Sequence, residues 1–170
     1  MFCANDVVLY GVDGICRVAG KTMRTLAGRA AEYYVLKPLS PENSTVYVPV
    51  DNAALVERMR RLLTRDEVIR LIRSIPDEDT IWIEDDARRR AVYGGIIEGS
   101  DRRELVRLIK TLYQRDRTMK ESHRKLPTAD ERLMKEAEKR LYGEFAHVLS
   151  IDPGQVPPFI SGMIGRESGA

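Results

Sequence analysis

Carboxylates and imidazoles are the side chains of this 170-residue sequence that suit acid–base or metal chemistry. The carboxylates cluster at residues 77–79 and 84–86, and the two imidazoles are His123 and His147. Acidic runs of this kind are more often charges at a helix N-terminus than metal ligands. Neither a phosphate-binding glycine loop nor an HExxH zinc motif occurs in the sequence. We therefore expect no catalytic residue, no metal site and no cofactor.

Trp82, the single tryptophan, lies between the two acidic clusters and precedes the triplet Arg88, Arg89 and Arg90. An indole beside guanidinium groups can act as a wedge at a DNA base step while the cations hold phosphates. A large aromatic residue can equally belong to a helical core. Three consecutive helical residues point in different directions, so the triplet cannot contact one groove as a unit. The spacing leaves the wedge and the core interpretations open.

Charge is segregated along the chain, although the net charge is only +2. Residues 58–73 hold six Arg against two acids, and residues 77–86 hold six acids and no base. Residues 102–125 then hold nine basic residues against three acids. Such blocks are typical of a nucleic-acid face or of solvated helix surfaces, and the near-neutral total argues against indiscriminate coating of DNA.

Cysteine usage and the N-terminus indicate the compartment. Cys3 and Cys16 are the only cysteines and form no CxxC pair, so we expect free thiols in a reducing cytoplasm. The N-terminal residues lack the basic and apolar regions of a signal peptide, and no apolar run is long enough to span a bilayer. We expect a cytoplasmic protein that is neither exported nor inserted in a membrane.

The first 50 residues have the pattern of short strands. Runs rich in β-branched and aromatic residues occur at 7–10, 15–18, 31–36 and 45–50, with turn residues between them and a polar turn over 38–43. No helical segment separates the runs, which favours a small antiparallel barrel or curled sheet. Pro49 restricts the last run to an edge strand or a strand end.

The apolar period changes to 3.6 after residue 51, which predicts helices. A weaker helical stretch covers residues 82–98, and a tail rich in Gly and Pro follows from about residue 152. The predicted helix caps are Thr64 with Glu67, Ser100, and Thr128 with Glu131.

Together these patterns predict an α+β chain in which a small N-terminal antiparallel β module is followed by an all-α helical bundle. We place the β module at residues 1–55 and the helical domain at residues 56–170, with the change of period between residues 52 and 64.

Several short motifs follow one another in order along residues 3–150 and cross the change of period. They are DVVLY at 6–10 with the turn to Gly14, EYYVL at 32–36, TVYVPVDNA at 45–53, LYQR at 112–115, and DERLMKEA at 130–137 leading to LYGEF at 141–145. With these motifs the sequence resembles the bacterial CarD-type RNA polymerase-binding regulators, whose β module also occurs in transcription-repair coupling factors.

For the N-terminal half, the resemblance implies a Tudor-like, SH3-like β module that binds the β subunit of RNA polymerase. Arg24 matches a position that some relatives use for this contact, whereas Tyr47 stands where others have a basic residue. The strand edge at Val46, Tyr47 and Val48 is the expected pairing surface for the β subunit.

For the C-terminal half, the resemblance implies a helical domain that contacts promoter DNA near the −10 element, at the upstream fork of the transcription bubble. Trp82 is the implied wedge, and Arg88, Arg89 and Arg90 are the implied phosphate partners. The Trp-to-Arg spacing is longer than in some relatives.

The expected protein is thus a monomeric, non-catalytic transcriptional regulator that stabilises the open promoter complex and is associated with the nucleoid through RNA polymerase. The alternative is a β-barrel and helical protein–protein interaction module without DNA contact. In that case Trp82 belongs to the core and the basic face binds an acidic protein.

Overall fold

The computed structural model describes residues 1–39, 43–99 and 101–168. Its contacts divide the chain into two compact units, Met1–Leu62 and Leu63–Ala170. Among the described helices, none combines the length and the apolar character that crossing a membrane requires.

The N-terminal unit is a five-stranded antiparallel sheet with the strand order β4-β3-β2-β1-β5. A single-turn helix, α1 (Ala53–Val56), separates the last two strands. The strands are β1 (Val7–Tyr10), β2 (Gly14–Leu26), β3 (Arg29–Pro38), β4 (Val46–Pro49) and β5 (Met59–Arg61).

Strands β2 and β3 form a long hairpin that is closed by Ala27 and Gly28. Both residues have positive φ, 50° and 77°, as a two-residue turn of type I′ requires, and this turn fits the right-handed twist of the strands. A register shift between Val18 and Gly20 lies further along the hairpin.

The core of this unit is drawn from all five strands. Burial raises the pKa of the Cys16 thiol to about 11, and both cysteines are free, as predicted. The buried residues are Val8, Cys16, Val18, Tyr34, Leu36, Val48 and Met59.

Within the described residues, the C-terminal unit consists of helices and short connections. Its core is the larger one and includes Val68, Tyr93, Leu108 and Phe145. The helices are α2 (Arg65–Ser74), α3 (Asp86–Glu98), α4 (Arg102–Glu121), α5 (Thr128–Leu149) and α6 (Val156–Ser168).

Of the predicted helix caps, the structure confirms one and contradicts another. The capping box of Thr64 and Glu67 is present at the start of α2, which confirms that prediction. The box predicted at Thr128 is wrong, because Thr128 is already helical and α5 begins after Pro127 without a side-chain cap. Ser100 lies outside the described residues, as does part of the turn predicted over 38–43.

The α+β fold class predicted from the sequence is confirmed. The division between the units differs from the position expected after residue 55. Strand β5 follows that position and pairs with β1, and Met59 is only 3% exposed in the core of the sheet. Contacts therefore separate the units at Leu62 and Leu63.

This difference leads to a test with two fragments of the N-terminal unit. The fragment 1–62 is expected to unfold cooperatively, whereas 1–55 lacks β5 and the buried Met59. Losing a buried methionine side chain costs about 2–5 kcal/mol of unfolding free energy, a large part of the stability of so small a domain. Thermal unfolding followed by circular dichroism compares the two, and equal melting temperatures would contradict the assignment of β5 to this unit.

Candidate functional site

Trp82 lies in an irregular segment between a short 3₁₀ helix (Ile75–Asp77) and α3. Both backbone groups of the preceding residue, Ile81, are held by the core. The Ile81 amide donates to Thr111 Oγ1 at 2.9 Å, and the buried Tyr93 hydroxyl donates to the Ile81 carbonyl at 2.7 Å. The indole is therefore attached to a backbone that α3 and α4 fix in place.

Arg89 fixes the backbone on the other side of Trp82. Its Nη1 donates to the carbonyls of Ile83 at 2.9 Å and Glu84 at 3.2 Å. Its Nε and Nη2 donate to the two carboxylate oxygens of Asp130 at 2.9 and 3.0 Å, and Nη2 also donates to Asp86 at 2.7 Å. A guanidinium group has five N–H donors, and these five bonds match that number.

The Arg89–Asp130 pair is buried, with Arg89 4% exposed and Asp130 not exposed at all. The hydrogen bonds that Arg89 donates to Asp130 hold the pKa of Arg89 above its usual range. Removing one partner of such a pair leaves an uncompensated buried charge, which is strongly destabilising. Arg89 is thus a fixed structural cation that joins α3 to the first turn of α5.

The Trp82 ring has two guanidinium groups over it. The Cζ atoms of Arg89 and Arg115 each lie 4.5 Å from the ring centroid, within the range of a cation–π interaction. The indole packs against the helical core and remains partly exposed. Its Nε1 is buried and has no hydrogen-bond partner among the described residues.

The predicted phosphate triplet lies within α3, and the helix directs its members to different sides. Arg88 and Arg90 are exposed on this helix, whereas Arg89 points inward and is buried. A phosphate contact by Arg89 would require breaking bonds that hold the Trp82 segment. The exposed pair lies on the same helix turn but is separated by the 200° that two helical residues span.

Glu78 anchors the start of the Trp82 segment to α4. Its two carboxylate oxygens accept from Arg103 Nε at 2.7 Å and Arg107 Nε at 2.6 Å. These bonds, that of Arg107 above all, lower the pKa of Glu78. Lys110 adds a third attachment, since its Nζ donates to the carbonyls of Ile75, Pro76 and Glu78.

In the N-terminal unit, the structure brings together two of the residues predicted to bind polymerase. The Cζ of Arg24 lies 4.2 Å from the ring centroid of Tyr47, and Tyr47 packs edge-on against Tyr33 with ring centroids 6.4 Å apart. Tyr47 is 40% exposed and Arg24 is exposed. These three residues form an aromatic and basic patch, which we call the Tyr47 patch.

Val46 and Val48 occupy the same strand as Tyr47 but point to the other face. Val48 is fully buried and Val46 packs against the core, so their side chains contribute to the sheet rather than to an outer surface. Strand β4 is at the end of the strand order, so one of its edges has no neighbouring strand among the described residues.

The register of β4 indicates which backbone groups face the open edge. Val50 N donates to Glu32 O at 3.0 Å beyond the end of the strand. Bonded and non-bonded pairs alternate in an antiparallel ladder, so Val46 and Val48 direct their N–H and C=O groups toward β3. The same groups of Tyr47 point to the open edge.

Sequence reasoning missed the residues that surround Trp82. Arg115 belongs to the LYQR motif but received no role, and Asp130 was assigned to a helix start rather than to Arg89. Thr111 and Tyr93 have no local signal, because each is an ordinary helical residue in the sequence and only the fold brings it to Ile81. Among the described residues, no group of His, Cys, Asp and Glu is arranged to hold a metal ion.

Comparison with known proteins identifies one part of the chain. Residues 2–63 match the family model of the CarD-like/TRCF RID domain. Among solved structures, CdnLNt from Myxococcus xanthus is 23% identical, with a TM-score of 0.32, and the match covers 38% of this chain and 89% of that one. No curated protein matches the chain.

The Glu78 network allows a prediction of pH dependence. Because the folded-state pKa of Glu78 is lowered, its stabilisation is complete above the unfolded-state pKa, about 4.3. It is lost as the pH falls through the lower folded-state pKa. Glu78→Gln is therefore expected to reduce the unfolding free energy at pH 7 by about 1.5–3 kcal/mol, the range for hydrogen bonds to charged groups.

Urea unfolding of the full chain at several pH values measures this difference. The gap between wild type and Glu78→Gln should narrow below about pH 5. Glu136→Gln, which changes an exposed carboxylate, serves as control and should stay within about 0.5 kcal/mol of wild type. A gap that is independent of pH would show that the ionised carboxylate is not the source of the stabilisation.

Proposed function

We propose that this chain, whose N-terminal domain belongs to the CarD-like/TRCF RID family of RNA polymerase-interacting domains, is a transcriptional regulator that stabilises the open promoter complex. The family match supports RNA polymerase as its partner. The finer proposal is that the β module binds the β subunit and the helical unit contacts promoter DNA near the −10 element. The protein would then act as a monomer in the bacterial cytoplasm, at the nucleoid through its polymerase.

The Tyr47 patch and the open edge of β4 support the contact with the β subunit. An extended segment of the partner can pair with the backbone groups of Tyr47, whose side chain lies in an aromatic and basic cluster with Arg24. Pairing along an edge provides main-chain hydrogen bonds, and the outward side chains provide specificity. Pro49 follows at the end of the strand and lacks an N–H, which keeps the pairing segment short.

The proposed DNA contact is supported by one observation: Trp82, the only tryptophan of the sequence, is held in a fixed position. The backbone on both sides of Trp82 is hydrogen-bonded to buried side chains, and the Cζ of Arg89, whose position is fixed in turn, lies 4.5 Å from the ring centroid. A side chain that is already ordered loses little conformational entropy on binding. This supports Trp82 as a wedge at the upstream fork, with Arg88 and Arg90 as the exposed phosphate partners and Arg89 as their support.

Tethering explains how a nearly neutral protein can use a weak DNA contact. Once the β module is bound to polymerase, the helical unit is held at a high effective concentration near the promoter. Stacking of an indole on an exposed base contributes about 1–3 kcal/mol. A contribution of about 2 kcal/mol that is absent from the closed duplex would shift the opening equilibrium about thirty-fold.

The alternative, a protein–protein interaction module without DNA contact, has one observation in its favour. Trp82 packs against the helical core as well as being partly exposed. In that function the indole would stabilise the unit, and the exposed basic residues of α3 and α4 would bind an acidic protein. The experiment on Trp82 separates the two functions.

The polymerase contact predicts the effect of a substitution in the Tyr47 patch. Tyr47→Ala in the full chain should weaken co-purification with RNA polymerase about tenfold or more, since exposed aromatic anchors dominate interface energy. Leu39→Ala serves as control, because Leu39 is another exposed apolar residue of the same unit. Equal capture of the two variants and wild type would remove the Tyr47 patch from the interface.

If Trp82 contacts DNA as proposed, removing its indole should have a defined effect on the open complex. Trp82→Ala should retain polymerase binding but shorten the lifetime of the open complex to that measured without the regulator, because the wedge is lost. Tyr113→Ala is the matched control, since Tyr113 is 59% exposed on α4 of the same unit. Lifetimes are measured after a heparin challenge, with thermal unfolding as a check on stability.

Two outcomes would decide against the proposal. An open-complex lifetime that is the same for Trp82→Ala and wild type would eliminate the wedge. A full chain that binds polymerase and leaves the lifetime unchanged would favour the interaction module.

A further inference from the structure

Strand β1 is apolar on both of its faces. Its four residues are Val7, Val8, Leu9 and Tyr10, and Val8 and Tyr10 face the core of the sheet. Val7 and Leu9 therefore point outward, because successive side chains of a strand alternate between the two faces. An antiparallel strand whose outer face meets water ordinarily has polar residues there, whereas a continuous apolar run is typical of a strand that is covered on both sides.

The register places Leu9 at the centre of a small patch on the outer face. Leu9 lies opposite Ile15 of β2 and opposite Arg60 of β5. Val7 lies opposite Arg17 of β2. Directly opposed residues share a face, with Cβ atoms about 5 Å apart. Three aliphatic side chains thus adjoin one another, with an arginine at each of two opposite corners, and we call these five residues the Leu9 patch.

The aliphatic side chains of the Leu9 patch are not used by the fold. Val7, Leu9 and Ile15 are partly exposed, and neither core of the described residues includes them. Removing apolar surface from water is favourable. A partner that covers these side chains would therefore gain free energy that folding of the unit alone does not supply.

The two arginines of the patch have no acidic partner within the described residues. Both are exposed, and Arg17 donates from Nη1 to the amide oxygen of Asn5 at 3.2 Å. The five strands contain a single acid, Glu32. It is two residues from the buried Tyr34 and so lies on the core side of the sheet. The outer face of the strands is therefore basic, and its bases are Arg17, Arg24, Arg29, Lys37 and Arg60.

We propose that the Leu9 patch is a docking surface for an acidic segment of a partner protein, in which carboxylates flank apolar side chains. An exposed guanidinium can hold a carboxylate with two parallel hydrogen bonds, and the aliphatic surface between the arginines fits apolar side chains. The Leu9 patch lies on β1, β2 and β5, whereas Tyr47 is on β4 at the other end of the strand order. The inference goes beyond the proposed polymerase contact, because it assigns a second partner surface to the β module.

The composition of the Leu9 patch favours a protein over other occupants. Surfaces that bind single-stranded nucleic acid combine cations with aromatic side chains on which bases stack, and the patch has aliphatic side chains instead. A second copy of the chain would bring further arginines and no acid from the same face, and like charges that meet in an interface are unfavourable. An acidic protein segment satisfies both the charge and the apolar surface.

The test measures binding of a short fluorescein-labelled peptide, in which Glu alternates with Val and Leu, to the full chain by fluorescence anisotropy. Arg60→Glu reverses one charge of the patch and should weaken binding more than about tenfold, because it places like charges together. Arg29→Glu is the matched control, since it reverses an exposed arginine at the far end of the β2–β3 hairpin. The control should leave the affinity unchanged.

A charge-swapped peptide distinguishes recognition from a structural effect. With Lys in place of Glu, the peptide should not bind wild type but should bind the double variant Arg17→Glu and Arg60→Glu, because the signs are exchanged. Leu9→Thr keeps a strand-forming residue but reduces the aliphatic surface, and it should weaken binding of the Glu peptide without changing the salt dependence. Thermal unfolding of each variant checks that the sheet is retained.

Four results would overturn the proposal. They are no binding of the Glu peptide to wild type, equal affinity of wild type and Arg60→Glu, failure of the charge swap to restore binding, and a labelled DNA duplex that takes the place of the peptide in all these comparisons. Weaker capture of RNA polymerase by Arg60→Glu, to the extent seen with Tyr47→Ala, would also assign the patch to the polymerase contact. A chain that binds the Glu peptide through Arg60 but does not bind polymerase would overturn the proposed function and leave this inference intact.

Discussion

The buried ion pair between Arg89 and Asp130 is the interaction on which the helical unit depends most. Taking two charges out of water costs several kcal/mol per ion, and their attraction offsets this cost only when the remaining donors are satisfied. Here the bond is bidentate, and the other donors of Arg89 reach Asp86 and two carbonyls. The pair therefore joins two helices and fixes the irregular segment that ends at α3.

This arrangement determines where the indole lies. A segment of eight residues between helices would ordinarily be mobile, since loops carry few internal bonds. From Glu78 to Glu84, however, hydrogen bonds to α3, α4 and the Arg89 side chain hold the backbone. A large aromatic side chain that is only partly buried is thus held in a fixed position against the helical core. Arg115 also lies against the ring, and its buried Nε has no hydrogen-bond partner among the described residues.

In the N-terminal unit, the constraint is the small size of the hydrophobic core. A sheet of about 60 residues has little core to stabilise it, and β5 and Met59 add to that core from beyond the strand-rich region of the sequence. Because β5 pairs with β1 at one end of the sheet, the open edge next to the Tyr47 patch is left to β4. Because successive side chains of β4 point to opposite faces of the sheet, Val46 and Val48 face the core and Tyr47 faces outward.

Much of this could be predicted locally. The strand runs, the capping box at Thr64 and the amphipathic helices follow from periodicity and capping, which depend on residues a few positions apart. The short strand β5 escaped detection, since three residues with two exposed arginines carry no strand pattern. The capping box at Thr128 was predicted wrongly, because the motif has the right letters but the helix begins one residue earlier.

By itself, the sequence determined the α+β class, the order of the two halves and the choice of Trp82 as the residue of interest. It could not distinguish Arg89 from Arg88 and Arg90, because three adjacent arginines differ only in the direction that the helix gives them. Tertiary structure decided that Arg89 is buried against Asp130, 41 positions away, and that Arg115 lies over the indole. Both depend on how helices that are distant in the sequence pack together, and no local pattern records that packing.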